Sequence, residues 1–289
     1  MADFPPATSA ENIVYKAGLA IVCCLAAMMP SLAQAPATPP KGSSVTAPSP
    51  AVLKDLAPTG KLRVSINLGN IVLAMKDPKT GELGGVSVEL ARELGKRLGV
   101  PVDYATFDAA GKAFDALTAG GIDVIFLAIE PVRAAQIEFT APYVLIEGNY
   151  LVAADSKFKT VTDLDQPGVK ITVGKGAAYD LFLSRTLKNA ELIRTSTGPE
   201  AMTKFADEKF DAVAGVKQAI VKFSKTRPGL RVIEPRFMAI EQAMGTPKGR
   251  LAGAEYLRAY VEEMKANGFV ADALKRSKQD DAVVAPPAK

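Results

Sequence analysis

The most chemically pointed group in this sequence is a guanidinium two residues past a proline. Residues 122–127, Ile-Asp-Val-Ile-Phe-Leu, read as a short strand buried on both faces, with Ala128 at its end. Glu130-Pro131-Val132-Arg133 follows, and proline suits the first helical position, where no amide donor is needed. Arg133 therefore stands at a helix start just beyond the carboxyl end of a strand, where open α/β sheets hold their ligands. Its planar fork of donors matches a carboxylate two bonds at a time. The competing reading makes Arg133 a solvated helix residue paired with Glu130 three positions back.

A second constellation is Gly174-Lys175-Gly176-Ala177-Ala178, which turns from a strand over residues 169–173 into a helix over 179–187. A glycine turn onto a helix start exposes amide donors that suit an anion. Lys175 and Tyr179 add a cation and a phenol there, although Tyr179 is equally well read as a core residue.

The elements that must position these groups alternate between strand and helix. Residues 62–66 and 100–106 read as strands, and between them a helix carries Leu90, Leu94 and Leu98 at four-residue spacing. A helix over 112–119 leads into the strand before Arg133. Residues 144–153 read as extended, 210–216 as a buried strand, 217–226 as a helix and 230–234 as a strand. Residues 240–246 form a returning extended segment, and helices over 250–267 and 269–276 close the body, the first stopped by Gly268. Such alternation predicts an α/β architecture.

Composition removes whole classes of chemistry. The 289 residues contain no histidine and no tryptophan, and the two cysteines are Cys23 and Cys24. Both fall in a segment with the marks of a secretory signal over 1–35: Lys16, an apolar stretch over 17–29, and Ala33-Gln34-Ala35 as a small-x-small cleavage site. That stretch is too short to span a bilayer, so removal is expected. A mature chain lacking both residue types has no disulfide and no thiolate or imidazole catalyst. No metal site and no cofactor is implied. The net charge of +4 is spread along the chain without a basic cluster interleaved with aromatics, which argues against nucleic-acid binding. Residues 36–52, rich in Pro, Ser and Ala, are expected to be a disordered lead-in, and 278–289 a flexible tail.

The order Asp123, Glu130-Pro131-Val132-Arg133, Glu138-Phe139-Thr140-Ala141-Pro142-Tyr143 resembles the polar amino-acid branch of the periplasmic solute-binding proteins of ABC importers, extracellular family 3. The glycine and leucine pattern of 84–99 and the stretch from Leu164 to Ala178 resemble it as well. The resemblance runs from Leu62 to Arg276. It implies a type II, Venus-flytrap fold of two α/β lobes, lobe 1 from 53–147 plus 243–277 and lobe 2 from 148–242. It also implies a ligand in the cleft, an inner-membrane ABC permease as partner, a periplasmic monomer, and no enzymatic activity. In such proteins the arginine clamps the ligand carboxylate, which falls on Arg133. The turn amides of the second lobe hold it from the other side, which falls on Ala177 and Ala178, and Gln242 becomes a candidate donor in the cleft.

Several positions depart from that pattern. The aromatic ligand-stacking step is replaced by the loop containing Asn70. The hydroxyls of the second-lobe turn become Ala177 and Ala178. The aspartate that grips an α-ammonium becomes Val216, with Lys217 next. Glu130 either supplies the missing negative charge or caps its own helix. These losses point to a small carboxylate rather than an ordinary L-amino acid. Two rivals are a cyclohexadienyl dehydratase-like enzyme using Glu130 or Glu147 as its acid, and a ligand sensor acting through a partner.

Overall fold

A computed structural model describes residues 47–279 and 281–289. The expected signal segment, both cysteines and most of the Pro-rich stretch lie outside the described residues. The lead-in nevertheless ends earlier than composition suggested. Ser49 accepts a hydrogen bond from the Val52 amide and Pro50 occupies the first turn, so α1 runs Pro50–Leu56. Val52 and Leu56, four apart, give it a buried face.

The first-lobe elements follow as β1 (Leu62–Asn67), β2 (Met75–Lys76), β3 (Leu83–Gly84), α2 (Val86–Leu98), β4 (Val102–Phe107), α3 (Ala110–Thr118), β5 (Ile125–Ala128) and α4 (Pro131–Ala134). The long strand β6 (Ile137–Ala153) leads to a 3-10 turn at Val161–Leu164, then β7 (Lys170–Gly174), α5 (Ala178–Thr186), β8 (Glu191–Thr195), α6 (Gly198–Glu208), β9 (Ala212–Val216) and α7 (Lys217–Thr226). The return is β10 (Leu230–Pro247), followed by α8 (Leu251–Ala266), α9 (Phe269–Arg276) and β11 (Val283–Val284).

Two lobes result because β6 and β10 are long enough to serve both. In the first lobe β1 and β4 pair in parallel and Val64 bridges to Val124 beside β5, whose outer neighbour is β10. In the second lobe β9 pairs with β6 at Gly148–Leu151, and β7 and β8 follow in parallel. Between the lobes β6 and β10 stay paired to each other, with a register shift between Ile233 and Met238. The segments 230–234 and 240–246, expected to be separate, are thus one continuous strand. The buried leucines of α2 and the fully buried run of β5 fall where their spacing predicted. Each such side chain contributes roughly 1.5–3 kcal/mol on burial.

The C-terminal tail does not fray as expected. Val283 and Val284 pair with Leu145 and Val144, and the Ala285 amide donates to the Tyr143 carbonyl at 3.1 Å. Two β-branched residues extend a sheet edge that a composition-based reading overlooks.

Lobe 1 is tied together at Asp123, which is fully buried. Arg63 grips both its carboxylate oxygens at 2.7 Å, and Arg250 reaches Oδ1 at 2.7 Å. This fixes the entry to β5, and through it the position of Arg133.

Candidate functional site

A cavity of about 310 Å³ lies between the lobes, within the size range of small-molecule sites. Lobe 1 contributes the loop after β1 (Asn67, Asn70), the start of α3 (Asp108, Ala109), the end of β5 (Ala128) and Arg133. Lobe 2 contributes the turn after β7 (Lys175, Ala177, Ala178), Tyr179, and the starts of α6 and α7. Gln242 lines it from β10.

Arg133 is not the solvated residue of the competing reading. It is 2% exposed. Its Nη1 donates to the Ala128 carbonyl at 2.9 Å, and its Nη2 crosses the cleft to the Gly176 carbonyl at 2.7 Å. Burial pulls its pKa down to about 10, against the opposing field of Glu130. It remains a cation at neutral pH, with carbonyls rather than a carboxylate as its hydrogen-bond partners. That environment attracts an anion.

Glu130 occupies the N-cap position of α4, yet its side chain makes no cap hydrogen bond and does not line the cavity. It forms an ion pair, buried on the Glu130 side alone, with Arg185 on α5 of the other lobe. The side-chain cap expected from the sequence is therefore corrected, and the carboxylate expected to meet a ligand charge is instead paired with Arg185. Its carboxylate is held by a cation that sequence spacing could not associate with it, 55 positions away.

The second-lobe turn is built as an anchor. The Gly176 amide donates to Asp180 at 2.8 Å, and Asp180 is neutralised by Arg194 at 2.9 Å. Gly176 has a φ of +72°, and a Cβ there would sit 3.1 Å from Gly111 Cα in the opposite lobe. Only glycine combines that conformation with that approach. The Ala177 amide donates to the Gly174 carbonyl at 3.1 Å, so it is less available to a ligand than expected. The Ala178 and Tyr179 amides, in the first turn of α5, have no intrahelical acceptor. Tyr179 is buried, and its phenol is pushed up to about 12 by burial, with a backbone hydrogen bond to Gly174 working the other way. It serves the core while forming part of the wall.

Four helix N-caps meet at this cavity: Ala109 of α3, Ala177 of α5, Thr197 of α6 and Val216 of α7. Three of them carry no side-chain cap, so first-turn amides there lack that partner, although α5 has Asp180 in its first turn. Asp108 is the lone carboxylate among the described lining residues; it is mostly exposed and bound to Lys112. That bond holds the Asp108 pKa below the usual carboxylate range. Lys217 turns away from Val216 toward the hinge, where Glu147 and Glu234 hold it at 2.9 and 2.8 Å. Among the described residues no cluster of carboxylates could hold a metal ion.

Sequence reasoning missed Asn67, Asp108, Ala109 and the start of α6. Thr197-Gly198-Pro199 does carry a capping signal, since the Thr197 hydroxyl accepts from the Glu200 amide. Ala109 carries none, and its place at the cavity depends on the approach of Gly69 to Asp108. A Cβ on Gly69 would lie 2.2 Å from the Asp108 carbonyl oxygen.

Residues 62–277 match the profile of the bacterial extracellular solute-binding proteins, family 3. The glutamine-binding protein of Geobacillus stearothermophilus is 24% identical over 210 residues, covering 71% of this chain and 80% of that protein. The cyclohexadienyl dehydratase of Pseudomonas aeruginosa is 26% identical over 195 residues, covering 63% of this chain and 68% of the enzyme. The crystal structure of a cysteine-binding protein from Campylobacter jejuni superposes with a TM-score of 0.69 at 20% identity, covering 81% of this chain and 99% of that one. With a profile match over most of its length and a matching two-lobe fold, the chain belongs to family 3 of the bacterial extracellular solute-binding proteins.

Proposed function

We propose that this protein is the exported binding component of an ABC importer and carries a small carboxylate-bearing solute in the cleft between its lobes. The observation that carries the reading is Arg133, a buried cation on the wall of a cavity to which four helix N-termini also point. Two of the five guanidinium N–H groups are used by carbonyls, leaving donors for a ligand carboxylate. The Ala178 and Tyr179 amides meet the same carboxylate from the second lobe. A solute touching both lobes binds the closed form better and shifts the hinge equilibrium toward closure. An inner-membrane permease would read the closed surface, and the segment over 1–35 would direct the chain to the periplasm.

A dehydratase needs a protonated acid near the substrate. Glu130 is tied to Arg185, Glu147 is held below the usual carboxylate range by Lys217 and Arg236, and Asp108 likewise by Lys112, so none of them suits that task. Binding without turnover is the reading these contacts favour.

The test is a thermal-shift screen of amino acids and simple organic acids, with prephenate included and its products assayed. A ligand at a hundredfold its dissociation constant stabilises by about 2.7 kcal/mol. Stabilisation by carboxylates is the expected result. Conversion of prephenate would replace the transport reading with an enzymatic one, and a response confined to compounds bearing an α-ammonium would remove the organic-acid preference.

A further inference from the structure

The cavity does not end where the charged groups do. It continues into lobe 2 between α6 and α7, where its wall is made by Met202 of α6 and by Ala219, Lys222, Phe223 and Thr226 of α7. The α7 positions are spaced i, i+3, i+4, i+7, one face of a helix. Phe223 and Met202 also pack against the buried cluster of Leu151, Phe205 and Ile220, so the apolar side of this hollow is continuous with the lobe core. Lys222 and Thr226 are exposed, which puts the lysine charge toward water at the outer end and its stem along the wall.

The two ends of the cavity thus differ in kind. At one end stand Arg133 and the first turn of α5. Gln242, 6% exposed and without a side-chain hydrogen-bond partner among the described residues, lines the cavity as well. At the other end the wall is mostly hydrocarbon, from Met202, Ala219, Phe223 and the Lys222 stem, with Thr226 at its exposed rim. Among the described residues no unpaired carboxylate faces the space: Asp108 is bound to Lys112, Glu130 to Arg185, and Glu147 to Lys217 and Arg236. An ammonium placed here would lose water and find a single lining carboxylate among the described residues, the mostly exposed Asp108 already bound to Lys112, amid three cationic lining residues and the positive ends of four helices.

We propose that the solute is a monocarboxylate with an apolar tail and no charged amine, its carboxylate at Arg133 and its tail in the hollow between α6 and α7. The inference rests on the binding-protein reading above and narrows it to a ligand class.

The experiment is a calorimetric series on the chain with straight-chain acids from acetate to octanoate, together with 3-phenylpropionate, phenylalanine and succinate. Affinity should rise about fourfold per methylene until the hollow is filled, the factor equivalent to about 0.8 kcal/mol per buried methylene. 3-Phenylpropionate should bind at least tenfold tighter than phenylalanine, which carries the same skeleton plus an ammonium. Ala219→Phe should cut the series off at a shorter chain and leave acetate unchanged. Met202→Phe tests the same space from α6 should the first variant melt well below the parent protein.

A flat series, with binding still dependent on Arg133, overturns the apolar tail and leaves the carboxylate reading standing. Phenylalanine binding as tightly as 3-phenylpropionate overturns the exclusion of an amine. If no acid of the set binds, both the ligand class and the carboxylate reading fall.

Discussion

Arg133 of the first lobe donates a 2.7 Å hydrogen bond to the carbonyl oxygen of Gly176 in the second, directly bridging the cleft. The same cation also lines the cavity, so the contact between the lobes and the proposed anion site share one side chain. Its guanidinium donates to the Ala128 and Gly176 carbonyls. A bound carboxylate would add charge compensation that carbonyls supply only in part.

Replacing Arg133 separates these roles. Arg133→Met should leave the unliganded melting temperature unchanged or raised, because a buried cation without a bonded carboxylate is replaced by an apolar chain of similar length. Carboxylate affinity should fall by about 2–5 kcal/mol, the usual penalty for losing one partner of a desolvated pair. Titration calorimetry reads this, and a loss under about tenfold would rule out the clamp role.

The pH dependence has opposite signs for folding and for binding. The Arg133 pKa of about 10 lies below its ordinary value, so in the window between the two the unfolded chain holds the extra proton. Stability of the empty protein therefore gains from this group as pH rises through that window. Carboxylate affinity should instead fall above about pH 10, as the cation it needs is lost. Affinity that stays level on both sides of that point would assign the neutralisation to another group.

The Glu130–Arg185 pair joins the lobes beside the cavity, with Glu130 3% exposed and Arg185 43%. Glu130→Gln and Arg185→Ala should each shift the unliganded protein toward an open form, seen as a larger radius of gyration in small-angle scattering. Because opening rehydrates whichever charge remains, each should lower affinity by only about 1 kcal/mol, with positive coupling in the double variant. Additive effects would mean the pair does not act as one latch.

Asp123→Asn tests the support beneath the site. Its carboxylate is fully buried and shared by Arg63 and Arg250, which are themselves about a quarter exposed. Removing the charge should cost about 3 kcal/mol in urea unfolding, at the lower end for a buried pair because both arginines can partly rehydrate. Ligand affinity of the folded fraction should be unchanged. A cost below about 1 kcal/mol would mark the cluster as an ordinary surface network.

Most of the strand and helix order and the family were legible in local pattern, whereas α1, the pairing of β11 and the continuity of β10 were not. Apolar runs, leucines spaced by four and a proline at a helix start carry their meaning within a dozen residues. The glycine turn from 174 to 176 was legible for the same reason, and it does face Arg133. What the chain order could not reveal is which charge meets which across the cleft. Glu130 lies three residues from Arg133 yet pairs with Arg185, and Lys217 follows Val216 yet turns to Glu147 and Glu234. The convergence of helix starts from both lobes on one space exists only once β6 and β10 bring the lobes together, and the hollow lined by one face of α7 only once α6 and α7 pack within lobe 2. Sequence set the groups that can bind an anion, through their own chemistry. Tertiary structure decided which of them remain unspent, because pairing in a low-dielectric cleft depends on distance rather than on separation along the chain.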